Sequence, residues 1–418
     1  MMKTLPLFLF SCLSLLFVSC SNEDDAQKET AVFAVPVIET LADIRNNVSV
    51  TSARQTNSYG KIYVTEDYLF YIAKEEGVHV FDNQNPASPQ NIAFINLEGV
   101  HDIAVKGNHL YADNFVDLVV FDISDINNIT MEQTLENAVT FSPEYPQEDA
   151  EFYAYEAYPQ EGEIVTGFRL ENRERPDEDL YYDAMPGGAE NTIGNGGQVG
   201  TGGSYAKFQI NKNALYTVSE YDLKVFNIAS PTAIYFDKSV YMNTWFGGGI
   251  FETLFRQGDY LFIGATNGMH IVNALDEFNP YFMSGFSHAT ACDPVVVDGN
   301  TAYITVRGGS TCGAIQDQVN VIDITDIGNP TLLSTYLLSQ PYGLGIRNNI
   351  LYVCSATEGL EVFDASNTSG LLLKNSYADN VKDVIPLESH LITVGSNKII
   401  QYRYGPDFTL EPISEINF

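Results

Sequence analysis

GVHVFDNQNP, Gly77 to Pro86, returns forty residues later as DLVVFDISDI, Asp117 to Ile126, and much later as GLEVFDASNT, Gly359 to Thr368. Each copy has a small or acidic lead-in, apolar residues around Val-Phe-Asp, and a polar turn. Recurrence at a fixed period marks a repeat architecture and has to be settled before any local reading. With the residue before the closing Asp, or its equivalent, as anchor, the series is Phe81, Phe121, Phe226, Val272, Ile322, Phe363 and Tyr402. The separations are 40, 105, 46, 50, 41 and 39 residues, so only the second gap holds an insertion.

Each unit repeats the same parts. A short apolar run (HDIAV, CDPVVV, YGLGI) leads to a tight polar turn such as Gly107-Asn108, Gly258-Asp259, Gly299-Asn300 or Asn348-Asn349. A second run follows (HLYADN, YLFIGA, TAYITV, ILYVCS), then the Val-Phe-Asp strand and a DISDINNIT-like tail. Turn dipeptides between runs of Tyr, Val, Ile and Phe signal hairpins. The middle strands are apolar on both sides, as expected of strands covered on both faces. Four-stranded units packed between like neighbours meet that need, and arranged radially they leave few exposed sheet edges. The expected fold is therefore all-β, a seven-bladed β-propeller with an acidic insertion after the second blade; a linear β-solenoid is the structural alternative. Asp82, Asp122, Asp323 and Asp364 are expected to start the outer turn by accepting nearby backbone N–H groups. These units resemble the LVIVD-repeat β-propellers, with VVFDISDINN and NVIDITDIGNP the nearest matches. That resemblance implies a propeller at a bacterial or archaeal cell surface and implies no particular activity.

The first residues read as an export signal. Lys3 precedes the apolar run Leu5 to Val18, which is short for a membrane span and ends at FVSC. This resembles the lipobox of a bacterial lipoprotein, with Cys20 as the lipidated residue, and Glu23-Asp24-Asp25 resembles an acidic tag for display on the outer face. The expected organisation is a signal peptide over 1–19, an acidic tether over 20–34 and the propeller over 35–418, with the insertion at about 140–203. The expected location is the outer membrane, lipid-anchored and facing outward. Removal of the leader leaves 20 basic against 54 acidic residues, a formal −34, which disfavours nucleic acid as a partner. Cys292 and Cys312 flank a Gly-rich stretch and are expected to pair as a disulfide in an exported protein, while Cys354 reads as a buried small hydrophobe.

Val35 to Thr56 is expected to supply an outer strand that closes the ring against FTLEPISEINF. The insertion has a Tyr- and acid-rich part over Phe141 to Asp183 and a Gly-rich loop over Met185 to Gly203, and EGEIVTGFRLENRER alternates like a strand. Such an insertion is either a decorated loop or a binding element on a rigid scaffold.

No Walker sequence, GxSxG elbow or HExxH motif occurs, and the histidines are scattered. No cofactor is expected; Asp177, Asp179 and Asp183 resemble a calcium loop only faintly, so a divalent cation such as calcium is the one candidate. Registering each first strand on its following turn places Gly60, His101, Ala206, Glu252, Asp293, Tyr342 and Lys382 at one equivalent position near the central channel. His101, Glu252, Asp293, Tyr342 and Lys382 are the candidate ligand-binding residues at its mouth. His101 and Asp102 are neighbours on a strand and should face opposite ways. Trp245, the single tryptophan, reads either as an exposed platform or as packing between blades. The expected function is a non-enzymatic surface lipoprotein whose propeller binds a protein or a glycan. The alternative is a glycan lyase or hydrolase using Glu252, Asp293 and Tyr342.

Overall fold

The recurring phrase forms the third strand of each blade, and the structure shows why it recurs. A computed structural model describes residues 29–55, 60–74, 76–146, 149–175, 201–242, 249–287, 294–308 and 316–418. The first blade contains the strands Gly60–Val64, Tyr68–Ala73, Gly77–Asp82 and Gln90–Asn96, joined antiparallel in that order. Six further units of the same pattern follow over residues 103–135, 208–241, 251–287, 295–337, 341–377 and 381–417. First strands of the second to seventh units touch one another in turn, so they converge on a common axis. Second and third strands are buried almost throughout while fourth strands such as Thr331–Leu337 face solvent. The chain is an all-β propeller.

The parts of the phrase have separate causes. Gly77, Gly268 and Gly359 lead in with φ of 142°, 133° and 81°, and a Cβ there would lie 2.0–2.1 Å from a carbonyl oxygen of the adjoining outer strand. The apolar centre fills the space between blades. Val78, Val80 and Phe121 join one cluster spanning the first three blades, while Phe363 packs between the fifth and sixth. Fully burying such a side chain is worth roughly 1.5–3 kcal/mol. The closing Asp then makes the expected turn. Backbone N–H groups of Gln84, Ser124, Thr325 and Ser366 donate to Asp82, Asp122, Asp323 and Asp364 at 2.8–3.1 Å. Hydrogen bonds from the Thr325 and Ser366 hydroxyls, more than these backbone bonds, hold Asp323 and Asp364 below the usual carboxylate range, and the backbone N–H of Ser124, helped by its hydroxyl, does the same for Asp122.

Three expectations about the chain's ends and insertion need correction. Part of the expected tether is structured, since Thr30–Thr40 is a strand with Ala31, Phe33 and Val35 buried. It pairs antiparallel with the insertion strand Glu163–Glu174, which is the alternating stretch, and parallel with Phe152–Tyr153, forming an arm beside the ring. The following segment does not close the ring against the C-terminus; Ser49–Ser52 instead pairs with Gln90–Asn96 at the outer edge of the first blade. All four strands of the last blade come from the C-terminal stretch itself. The ring closes through side chains. Ile62, Leu69 and Tyr71 of the first blade pack on Ile385, Ile392 and Ile399 of the last, and Phe418 stacks on Tyr71 at 4.1 Å. Buried Asn83 and Gln401 exchange amide hydrogen bonds at 3.2 and 2.7 Å across the same seam.

The insertion also re-enters the ring. Thr201–Gly202 adds to the axial side of Gly60–Val64, and the next residues cross the axis. Ser204 N–H and Oγ donate to Asp383 Oδ1 of the last blade at 3.1 and 2.9 Å, while Leu344 N–H of the sixth donates to Ser204 Oγ at 3.0 Å. Tyr205 is buried behind it, with its phenol pushed well above its ordinary value by desolvation. The level at which a solvent-filled channel was expected is therefore occupied by the chain's own segment 201–206. Among the described residues no helix is long and apolar enough to cross a membrane.

Candidate functional site

Residues one place beyond the expected ring face the axis. Lys61, Asp102 and Asp383 are buried, and Lys207 is partly buried beside them. The expected residues at the same strand starts, Gly60, His101, Ala206 and Lys382, each precede one of these. Counting from the turn gave the right level but the wrong face, and a one-residue slip turns every side chain over. Glu252 is the exception: a β-bulge between Phe251 and Thr253 brings it inward, where it is buried next to Lys207. A similar bulge between Val381 and Asp383 makes Lys382 the extra residue and sends Asp383 to the axis.

The result is a belt of alternating charge over five successive blades: Asp383, Lys61, Asp102, Lys207 and Glu252. Asp102 ties the second blade to the third. Its Oδ2 accepts the N–H groups of Lys207 (2.7 Å) and Phe208 (3.1 Å), and its Oδ1 accepts that of Ile103 (2.8 Å). Lys61 Nζ stands 3.9 Å from Asp102 Oδ2, so this contact is an ion pair without a direct hydrogen bond. Burial outweighs that attraction on both sides. It pushes Asp102 up to about 6 and Lys61 down, and it likewise pushes Asp383 up to about 6 and Lys207 down. A buried belt of this kind fixes blade register more than it adds net stability.

Among the described residues, His101, Glu252, Tyr342 and Lys382 do not line one common cavity. His101 lies on the upper face, where its N–H donates to Asp113 Oδ1 at 2.7 Å and its Nδ1 is 2.9 Å from the Gly99 carbonyl. Its neighbour Asp102 also donates its N–H to Asp113 Oδ1, at 2.8 Å, and both residues precede the strand that starts at Ile103. Tyr342 lies far round the ring under the Arg307 guanidinium, 4.9 Å from the ring centroid. Asp293, Trp245, the expected lipidation residue Cys20, the calcium-like acids and the expected disulfide partners Cys292 and Cys312 all lie outside the described residues. Cys354 is buried, and desolvation pushes its thiol well up. Among the described residues no three His, Cys, Asp or Glu side chains converge as a metal site.

What the sequence did not reveal is a cleft of about 490 Å³ between the first three blades and the arm. Its floor carries Gly60, Lys61, His101 and Lys207; its wall carries Phe115, Phe141, Tyr145 and Phe168; its rim carries Glu39, Lys74, Glu144 and Asp149. The aromatic wall consists of two packed groups. Phe141 lies 4.9 Å from Phe115 and 5.5 Å from His101, and Tyr145 meets Phe168 edge-on at 5.1 Å. At the rim Lys74 pairs with Glu144, and Thr166 Oγ1 donates to Glu39 Oε1 at 2.7 Å. A smaller cavity of about 70 Å³ adjoins it behind His101, Asp102 and Lys207. The sequence signal for this cleft was the Tyr- and acid-rich part of the insertion, which had been read as either decoration or binding.

With the ring, belt and cleft in place, the class is that of a β-propeller closed by side-chain packing and stoppered by its own insertion. Two of its units, residues 99–135 and 343–379, match the LVIVD repeat, so the propeller contains LVIVD repeats. No curated relative is detected from sequence. Among solved structures it is similar to a protein from Lactobacillus plantarum at 13% identity and TM-score 0.55, covering 85% of this chain and 95% of that one. It is also similar to the periplasmic gluconolactonase of Pseudomonas aeruginosa at 9% identity and TM-score 0.53, covering 88% and 96%. At these identities the likeness concerns the fold.

Proposed function

We propose that this chain is a surface-displayed lipoprotein, anchored through Cys20, whose propeller is a rigid platform for a ligand held between the ring face and the arm. The observation that carries this reading is the aromatic-walled cleft of about 490 Å³, built where the long insertion folds back over the first three blades. Concave sites with apolar walls and a few convergent polar groups are the usual form of small-ligand sites, and insertions on rigid scaffolds are where binding concentrates. The acids of the axial belt favour binding over catalysis as the reading of this region, because Asp102 and Asp383 are occupied with backbone N–H groups.

The test is thermal unfolding of the full-length chain against oligosaccharides, peptides and divalent cations. A ligand bound only by the folded state at a hundred times its dissociation constant adds roughly 2.7 kcal/mol. A stabilising hit that disappears in Phe168→Ala supports the cleft, and one that survives unchanged removes it. Turnover of a bound oligosaccharide would favour the enzymatic alternative. Anchoring is tested separately: Cys20→Ala should release the protein from the membrane fraction or block its processing.

A further inference from the structure

We infer that the outer edge of the fifth blade is a self-association surface, where Thr331–Leu337 pairs with the same strand of a second copy of this chain. An outer strand leaves a row of backbone N–H and C=O groups unpaired. Such an edge invites another strand unless charge, proline or a cover blocks it. The first blade's edge is covered by Ser49–Ser52. Charges interrupt those of the second, third and sixth blades (Glu132, Lys238 and Lys374), and the last carries Glu411 and Pro412. Tyr281–Ser287 of the fourth is uncharged, but of its large side chains only Tyr281 is exposed. Thr331–Leu337 has neither charge nor proline and ends its sheet, and its Leu332, Leu333 and Leu337 are 49%, 42% and 62% exposed. The next blade continues this apolar rim with exposed Leu372 and Leu373, and Ser334 Oγ ties the two blades by donating to the Thr368 carbonyl at 2.9 Å.

The chain itself shows that an edge of this geometry accepts a strand. Ser49–Ser52 pairs antiparallel with residues 93–96, which face residues 77–80 on their inner side. Register sets residues 334–337 against 318–321 in the same way, beyond the same bulge. Under their cover Phe94 and Ile95 are buried, whereas the equivalent Thr335 is exposed and Tyr336 half-buried. Charge decides the occupant. At a formal −33, two copies repel over most of their surfaces, and an uncharged strand bearing leucines is where repulsion is least and apolar gain greatest. A basic partner would seek carboxylates, which this strand lacks. Antiparallel pairing about a two-fold axis uses one strand twice, so a single unblocked edge suffices. The fifth blade lies across the ring from the first three, so such a dimer leaves both clefts open.

The experiment is co-purification of two differently tagged full-length copies, co-expressed, extracted with detergent micelles in excess over chains, and captured through one tag. Wild-type copies should retrieve each other, and retrieval should rise with salt as their repulsion is screened. Thr335 is exposed and central in the paired segment. Thr335→Glu in both copies therefore sets like charges across the axis and should reduce retrieval about tenfold or more. Thr335→Glu in one copy with Thr335→Lys in the other should restore it. Each variant loses the same hydrogen bond from Thr335 Oγ1 to Asn320 Oδ1 (3.0 Å), so the mixed pair separates charge across the interface from damage to the fold. Failure of wild-type copies to retrieve each other would overturn the inference, whether or not another protein is captured in their place. Undiminished retrieval of the doubly acidic pair would overturn it by moving association to another surface. A mixed pair retrieved no better than the doubly acidic one would show that the two edges do not meet.

Discussion

Asp102 Oδ2 accepts two N–H groups of the third blade and Oδ1 one of its own, so both oxygens are committed to backbone. An asparagine there has one acceptor oxygen and would turn an N–H group toward a donor. Asp102→Asn should therefore destabilise the protein by about 2 kcal/mol in urea denaturation, with little change in m-value. Protonation behaves differently. Asp102, Asp383 and Glu361 are raised to about 6 by burial, so between pH 4 and 6 the folded state holds more protons than the unfolded, and these groups favour folding as pH falls through 6. His79 and His270 are lowered to about 4 by burial, so the unfolded state binds more protons below 6.5 and folding is disfavoured over the same fall. The slopes oppose. The wild type should change little between pH 6.5 and 5, while His270→Gln should become more stable as pH drops; a steep loss in both would contradict the balance. Thiol chemistry checks another residue: Cys354 should be unreactive in the native state, and one thiol should appear on unfolding without reductant if Cys292 and Cys312 are paired.

At the scale of elements, turn dipeptides and double-sided apolar runs identified the blades because both are local consequences of backbone geometry. Asn348-Asn349 has both φ values positive, as a two-residue primed turn requires. The axial face was misread because strand alternation fixes which residues share a face but not which face points inward. Bulges at Glu252 and Lys382 then break even the alternation. The stopper was invisible because its bonds are long-range: nothing near Ser204 indicates a partner 179 residues away. Its fit depends on two glycines. A Cβ on Gly203 would lie 1.5 Å from Asp383 Oδ2, and one on Gly343 would lie 2.2 Å from Asp383 Oδ1. Gly203→Ala should consequently cost several kcal/mol, on the order of other buried overpacking changes, and lower the melting temperature by more than an alanine at the exposed turn glycine Gly107. Equal effects would show that the axial segment is dispensable.

Across the whole molecule, the ring is held at its seam by packing and by the Asn83–Gln401 pair, with no strand exchanged between the two ends among the described residues. A double-mutant cycle with Asn83→Ala and Gln401→Ala should give a coupling energy of about 1 kcal/mol or more, and additivity would mean that the seam rests on its apolar contacts alone. The axial segment gives this arrangement a consequence in time. Ser204 is made midway along the chain, yet its bonds go to Leu344 and Asp383 in the last two blades. The early blades cannot acquire a finished centre until those blades exist, so a growing chain stays incomplete at its axis almost to its last residue. Folding of this protein should be late and concerted, with truncation anywhere before the final blade leaving an open fragment exposed to proteolysis.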